Sequence, residues 1–130
     1  MDLDYFKRVV DTHGHLNGSQ AIREVAATIR ESLKGPAYAV AYAGDEFVVV
    51  LPGCDKEQAE ETARVIQRRI DETVYLCGQG LAVNLRASFG IATFPEHAGD
   101  LTGLLAAADH ALFGVKANGK SAIGWAGSGR

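Results

Sequence analysis

Three groups of residues in this chain have the types and spacing to do chemistry. Asp2, Asp4 and Lys7 stand together at the start, Asp45-Glu46 follow Ala43-Gly44 in the first half, and Lys116 and Lys120 lie near the end. Carboxylate oxygens are the preferred donors for hard divalent cations such as magnesium. That ion keeps several waters, so one or two Asp side chains plus substrate phosphates make a normal site. The lysines could meet those phosphates as point charges. Each group alone also has a plain structural explanation. Gly-Asp is ordinary turn chemistry, an Asp-x-Asp sequence is common, and lysines late in a helix answer its dipole.

The elements that must position these groups follow from periodicity. Ile22, Val25, Ala26, Ile29 and Leu33 recur at helical spacing between Asn17 and Leu33, and Gly35-Pro36 ends the run. Two apolar runs, Tyr38–Tyr42 and Phe47–Leu51, flank Ala43-Gly44-Asp45-Glu46 as a β-hairpin. The unbroken Val48-Val49-Val50-Leu51 predicts a strand buried on both faces, with Tyr38 and Tyr42 at its partner's surface or in the core. Asp55 with Gln58 three residues on forms a capping box and opens a helix whose inner face is Ala59, Ala63, Ile66 and Ile70. Val83, Leu85, Ala87, Phe89 and Ile91 alternate with Asn84, Arg86, Ser88 and Gly90 as one period-2 strand. Asp100 precedes a helix expected to bury Leu101, Leu104, Leu105, Ala108, Leu112 and Val115, and a last strand is placed at Ala122–Trp125. The order predicts an α/β (α+β) sandwich, a largely antiparallel sheet flanked by helices.

The bulk numbers narrow the function. A chain of 130 residues is one domain, 1–130, and 47% apolar content is enough for a core. With 13 Lys+Arg against 16 Asp+Glu the net charge is −3, which argues against a surface built for nucleic-acid phosphates. No apolar run reaches the roughly 20 residues that span a bilayer, and no signal peptide is visible. Cys54 and Cys77 lack metal or redox spacing, so a reduced, cytoplasmic setting is the expectation. His13 and His15 could face one zinc ion, but no further ligands sit at a plausible spacing. They are expected as loop or helix-start residues, with His97 and His110 isolated. Functional acids begin at Met1-Asp2 with no lead-in strand, so the chain is expected to be part of a longer protein.

Taken together, the motifs resemble one family. Asp2-Leu3-Asp4-Tyr5-Phe6-Lys7, Asp11-Thr12-His13-Gly14-His15, Ala43-Gly44-Asp45-Glu46-Phe47 and Ala108-Asp109-His110-Ala111-Leu112-Phe113-Gly114-Val115-Lys116 are similar to the successive signatures of GGDEF domains. The resemblance spans nearly the whole chain. It implies a bacterial signalling domain with a nucleotide-cyclase, ferredoxin-like palm, whose first strand and preceding helix would lie before Met1. It also implies a transferase, a diguanylate cyclase. Two domains, each holding one GTP, meet; the 3′-hydroxyl of one attacks the α-phosphate of the other, pyrophosphate leaves, and a second attack closes cyclic di-GMP. The expected partners are thus GTP, a second copy of the domain, and a sensory or regulatory region outside this chain. Magnesium (or manganese) is the expected cofactor.

Carried over by position, Asp2 and Asp45 match metal-binding carboxylates, with the Leu3 carbonyl as a further ligand. Their carboxyl groups should then lie about 4–6 Å apart, since metal–oxygen bonds are near 2.1 Å. Glu46 matches the second acidic residue, near the reacting hydroxyl. The backbone N–H groups of Tyr5 and Phe6, with Lys7, match the β/γ-phosphate cradle. Lys116 matches a phosphate-binding lysine, and Lys120 stands where arginine is more usual. Within the signature turn, Ala43 replaces a glycine beside Gly44 and Phe47. Val10 and Ser19 occupy positions that usually contact guanine through Asn and Asp. Valine cannot hydrogen-bond and serine both donates and accepts, so ATP joins GTP as a candidate substrate. An inhibitory product site upstream of the signature falls on Lys34 and Ala37 and is expected to be absent. The alternative function is a catalytically degenerate domain serving as a nucleotide-binding, dimerisation or regulatory module.

Overall fold

The computed structural model describes residues 1–119 and 122–127. Its centre is a five-stranded sheet in the order β2-β3-β1-β6-β7, formed by β1 (Asp2–Leu3), β2 (Tyr38–Ala43), β3 (Glu46–Val50), β6 (Ala87–Ile91) and β7 (Ile123–Trp125). All neighbours run antiparallel except β6 and β7, which are parallel. A separate ribbon pairs β4 (Val74–Tyr75) with β5 (Val83–Asn84). The helices are α1 (Phe6–His13), α2 (His15–Ser32), α3 (Lys56–Glu72) and α4 (Leu101–Ala117).

Side chains alternate across a sheet, and here that alternation divides core from chemistry. Leu3, Phe47, Ala87 and Phe89 are buried in the main core with Ala21, Val25 and Ile29 of α2 and Ala63, Ile66 and Ile70 of α3. The α3 face is the one its periodicity predicts, and the Asp55–Gln58 capping box is present in both directions. The opposite face of β6 and β7 receives α4. Two glycines permit that close approach: a Cβ on Gly90 would run into the Ala108 carbonyl and stand 2.5 Å from the Leu112 nitrogen, and one on Gly124 would stand 2.6 Å from Val115 Cγ2.

Several expectations change in the fold. The period-2 run from Val83 is two strands, because after Asn84 the chain leaves β4 and resumes at Ala87 beside β1. Val83, Leu85, Ala87 and Phe89 are buried, as the alternation requires, and Ile91 is half-buried. Ser88, however, has no exposed surface and is not an outward polar position. The β3 valines are half-buried and not enclosed on both faces, since the β2–β3 hairpin forms the sheet edge with Tyr38, Val40 and Tyr42 exposed. On α4, Ala111, Leu112 and Val115 are buried, but Leu101 is 70% exposed and Leu105 also faces solvent. The segment before His13 is a helix of its own, α1, ended by Gly14 at φ 87°.

Candidate active site

The strand β1 lies between β3 and β6, so two residues, Asp2 and Leu3, fix the site in the middle of the sheet. Asp2 stands directly opposite Glu46 on one side and Ser88 on the other. The hairpin turn brings Asp45 to the same place. Gly44 takes φ 52° at the first central position, the sign a II′-type hairpin turn needs there. The Leu3 N–H donates to the Asp45 carbonyl at 3.1 Å, tying the tip to β1. Phe47, buried beneath, exchanges backbone hydrogen bonds with Met1. The bulge between Ala41 and Ala43 lets Ala43 pair with Glu46.

As a result one oxygen each from Asp2, Asp45 and Glu46 lies within 4.8 Å of the others. Asp2 and Asp45 thus stand no farther apart than expected for two carboxyl groups sharing one ion with metal–oxygen bonds of about 2.1 Å. Among the described residues this is the group of acidic, His or Cys side chains that could jointly hold a metal ion. Burial, then the neighbouring Asp45, with Glu46 adding to them, push the Asp2 carboxyl up to about 6 from its ordinary 3.8 against the opposing pull of Lys116. Three clustered carboxylates suit a hard divalent ion both in donor type and in charge.

Lys116 reaches over from α4. Its ammonium donates to Asp4 Oδ1 at 2.6 Å and to the Leu3 carbonyl at 3.3 Å, and stands 3.7 Å from Asp2 Oδ1. Thus the lysine expected at a phosphate is, in this structure, the cation that neutralises β1. Asp4 is buried and also accepts from Ser88 Oγ at 2.7 Å. Ser88 is the supporting residue that sequence alone does not reveal, because nothing in an alternating strand marks which polar position meets a buried acid.

Between Asp4 and α1 the chain turns through Tyr5, whose φ of 56° is left-handed. A non-glycine residue there is strained, and the turn swings the start of α1 toward the end of the sheet. Lys7 points outward, 86% exposed, and pairs with Asp11 at 2.8 Å. The two proposed base-contact positions flank the α1–α2 seam. Val10 is half-buried, and a Cβ on Gly18 of α2 would stand 2.9 Å from its Cγ2, while Ser19 is exposed. Lys34 is exposed and Ala37 half-buried in the turn before β2. Lys120 lies outside the described residues. Cys54 and Cys77 are free thiols, and no helix among the described residues is long and apolar enough to cross a membrane.

Comparison with known proteins identifies the family and the fold. Residues 1–122 match the family described as diguanylate cyclase, GGDEF domain. The chain is 32% identical over 123 residues to diguanylate cyclase DosC of Escherichia coli (strain K12), covering 95% of this chain and 26% of that protein. It is 28% identical over 123 residues to diguanylate cyclase A of Treponema denticola, covering 95% and 33%. It therefore spans about a quarter to a third of these curated relatives. Among solved structures, the GGDEF domain of TpbB (YfiN) from Pseudomonas aeruginosa superposes with a TM-score of 0.89 at 29% identity, covering 96% of this chain and 73% of that one. The GGDEF domain of DgcB from Caulobacter crescentus, solved in complex with c-di-GMP, gives 0.86 at 28% identity, covering 98% and 75%.

Proposed function

Since this chain belongs to the diguanylate cyclase GGDEF-domain family, we propose that its site condenses two GTP molecules into cyclic di-GMP with release of pyrophosphate. The observation that supports this most is the convergence of Asp2, Asp45 and Glu46 within 4.8 Å at the centre of the sheet. A structural domain gains nothing from three like-charged carboxylates at one point, whereas a metal-assisted transfer needs them. The relatives named diguanylate cyclases do not favour the degenerate alternative.

On this reading Asp2 and Asp45, with the Leu3 carbonyl, hold magnesium, which when bound would stabilise charge on the reacting oxygens. Glu46 stands beside the attacking 3′-hydroxyl. The backbone N–H groups of Tyr5 and Phe6 and the Lys7 ammonium orient the β- and γ-phosphates at the start of α1, where the helix dipole favours anions. Lys116 trades part of its contact with Asp2 and Asp4 for the phosphate, and Lys120 adds a second charge. Positioning and charge neutralisation, the main contributions to such transfers, come from these groups. Each domain presents one nucleotide, so catalysis requires a homodimer. A GTP substrate supports a cytoplasmic setting, and the greater length of the curated relatives supports control by a region beyond this chain.

The test is incubation of the full-length protein with magnesium and labelled GTP, ATP or both, with product identification. Cyclic di-GMP should form, and Asp45→Ala should lower the rate by more than about a hundredfold, since loss of mere supporting groups around a metal already costs about 10–100-fold. Nucleotide binding with no dinucleotide product under any purine condition would overturn the proposal.

A further inference from the structure

Beyond the turn at Tyr5 lies a cavity of about 380 Å³ whose lining includes Asp4, Tyr5, Arg8, Asn84, Arg86 and Gly119. Its walls come from the β1–α1 turn, the link between β5 and β6, and the end of α4. Two arginines from separate elements meet there. Among the described residues neither guanidinium makes a hydrogen bond or ion pair, and Arg8 is held by stacking, 4.5 Å from the centre of the Tyr5 ring. The one acid in the lining, Asp4, is already neutralised by Lys116 and accepts a hydrogen bond from Ser88. In a chain of net charge −3, two uncompensated guanidiniums over one concavity make a local anion site. The backbone of Arg86 is fixed as well, since its carbonyl accepts from the Asp4 N–H at 2.8 Å.

We propose that Arg8 and Arg86 grip the terminal phosphate of the bound nucleoside triphosphate, and so make the site select triphosphates over diphosphates. The inference rests on the reading of this site as a GTP site. The β1–β6 register supplies the polarity: Asp2 of the carboxylate cluster stands opposite Ser88, whereas Arg86 bonds to Asp4, two residues further along β1 and beside the proposed cradle at Tyr5 and Phe6. The phosphate farthest from the reacting centre therefore falls nearest the arginines. A planar guanidinium offers paired donors that match phosphate oxygens, which the point charges of Lys7 and Lys116 do not.

The experiment measures affinity for a non-hydrolysable GTP analogue and for GDP, with magnesium, in the full-length protein. Wild type, Arg8→Ala, Arg86→Ala, the double variant and Arg64→Ala, a control on the remote helix α3, are compared, with circular dichroism confirming the fold. Each cavity variant should lose about tenfold in triphosphate affinity, the scale of one hydrogen bond to a charged group, while GDP affinity changes less than twofold and Arg64→Ala changes neither. Lysine at either position should restore part of the loss. Equal losses for both nucleotides would show only a general field, and an unchanged GTP-to-GDP ratio would show no contact. Either result overturns the inference while leaving the GTP site standing. A wild-type protein that binds neither nucleotide would overturn both.

Discussion

Asp2 and Glu46 stand directly opposite each other across the β1–β3 ladder, two acids in the one register position where a sheet most resists like charges. Such a pair is destabilising. Burial first, then Asp45, with Glu46 adding a smaller share, hold the Asp2 carboxyl above its ordinary value.

That shift has a sign. The folded chain holds the Asp2 proton to about pH 6, whereas an ordinary aspartate releases it near 3.8. Protonated Asp2 therefore favours the fold at low pH, and this contribution is lost as pH rises from about 4 through 6. In chelator, the melting temperature should fall across this window, and Asp2→Asn should flatten the fall and melt higher at pH 7. Magnesium should raise the wild-type melting temperature at pH 7 and leave Asp2→Asn unmoved. A wild-type melting temperature insensitive to magnesium at millimolar levels would count against the metal role.

Lys116 neutralises an acid that has almost no solvent: the Asp4 side chain is 2% exposed and that of Lys116 19%. Lys116→Met should cost about 3 kcal/mol in urea unfolding, because it strands a buried carboxylate. The double change with Asp4→Asn should recover much of that stability and none of the cyclase activity. If stability does not recover, the loss came from α4 packing and not from the ion pair.

Guanine selectivity should be weak. Val10 and Ser19 lack the carboxylate and amide that would pair guanine's edge, so GTP and ATP should differ by roughly one hydrogen bond, about 1 kcal/mol or fivefold. The Val10→Asn/Ser19→Asp variant should gain preference for GTP; asparagine is near valine in size, which matters because Val10 fits against Gly18. Competition binding with both triphosphates measures this. A wild-type preference beyond about a hundredfold, roughly 2.7 kcal/mol, would place base reading elsewhere in the pocket.

Product feedback at the turn before β2 should be missing. Exposed Lys34 and half-buried Ala37 supply neither a guanidinium fork nor a carboxylate for a cyclic dinucleotide. Calorimetry with cyclic di-GMP should show no tight binding there. Micromolar binding abolished by Lys34→Ala would refute the expectation.

What the sequence discloses depends on the range of the interaction. The α3 helix is legible in full because its cap and its apolar stripe are both local. The acidic tip at Asp45-Glu46 is legible because the turn residues announce the hairpin. The α1 helix escapes notice: Tyr5 offers no capping side chain, and Val9, Val10 and Thr12 are β-branched and weak helix formers. The break between β5 and β6 is hidden because the alternation of Val83, Leu85, Ala87 and Phe89 continues through a change of partner strand. Leu101 and Leu105 have helical spacing, but spacing does not say whether a surface faces them. The bond between Lys116 and Asp4 joins positions 112 residues apart, beyond the reach of any local pattern.

That long separation bears on how the protein is made. Ser88 and Lys116, which hold the Asp4 carboxylate, come from later in the chain, so Asp4 leaves the ribosome before either of them. Until those partners emerge, docking β1 into the middle of the sheet would bury a charge with nothing to answer it. The strand that organises the site is therefore among the last to settle during synthesis. A chain arrested before α4 should hold its hairpin and the helices α1 and α2 but leave β1 in water, open to proteases that the finished domain resists.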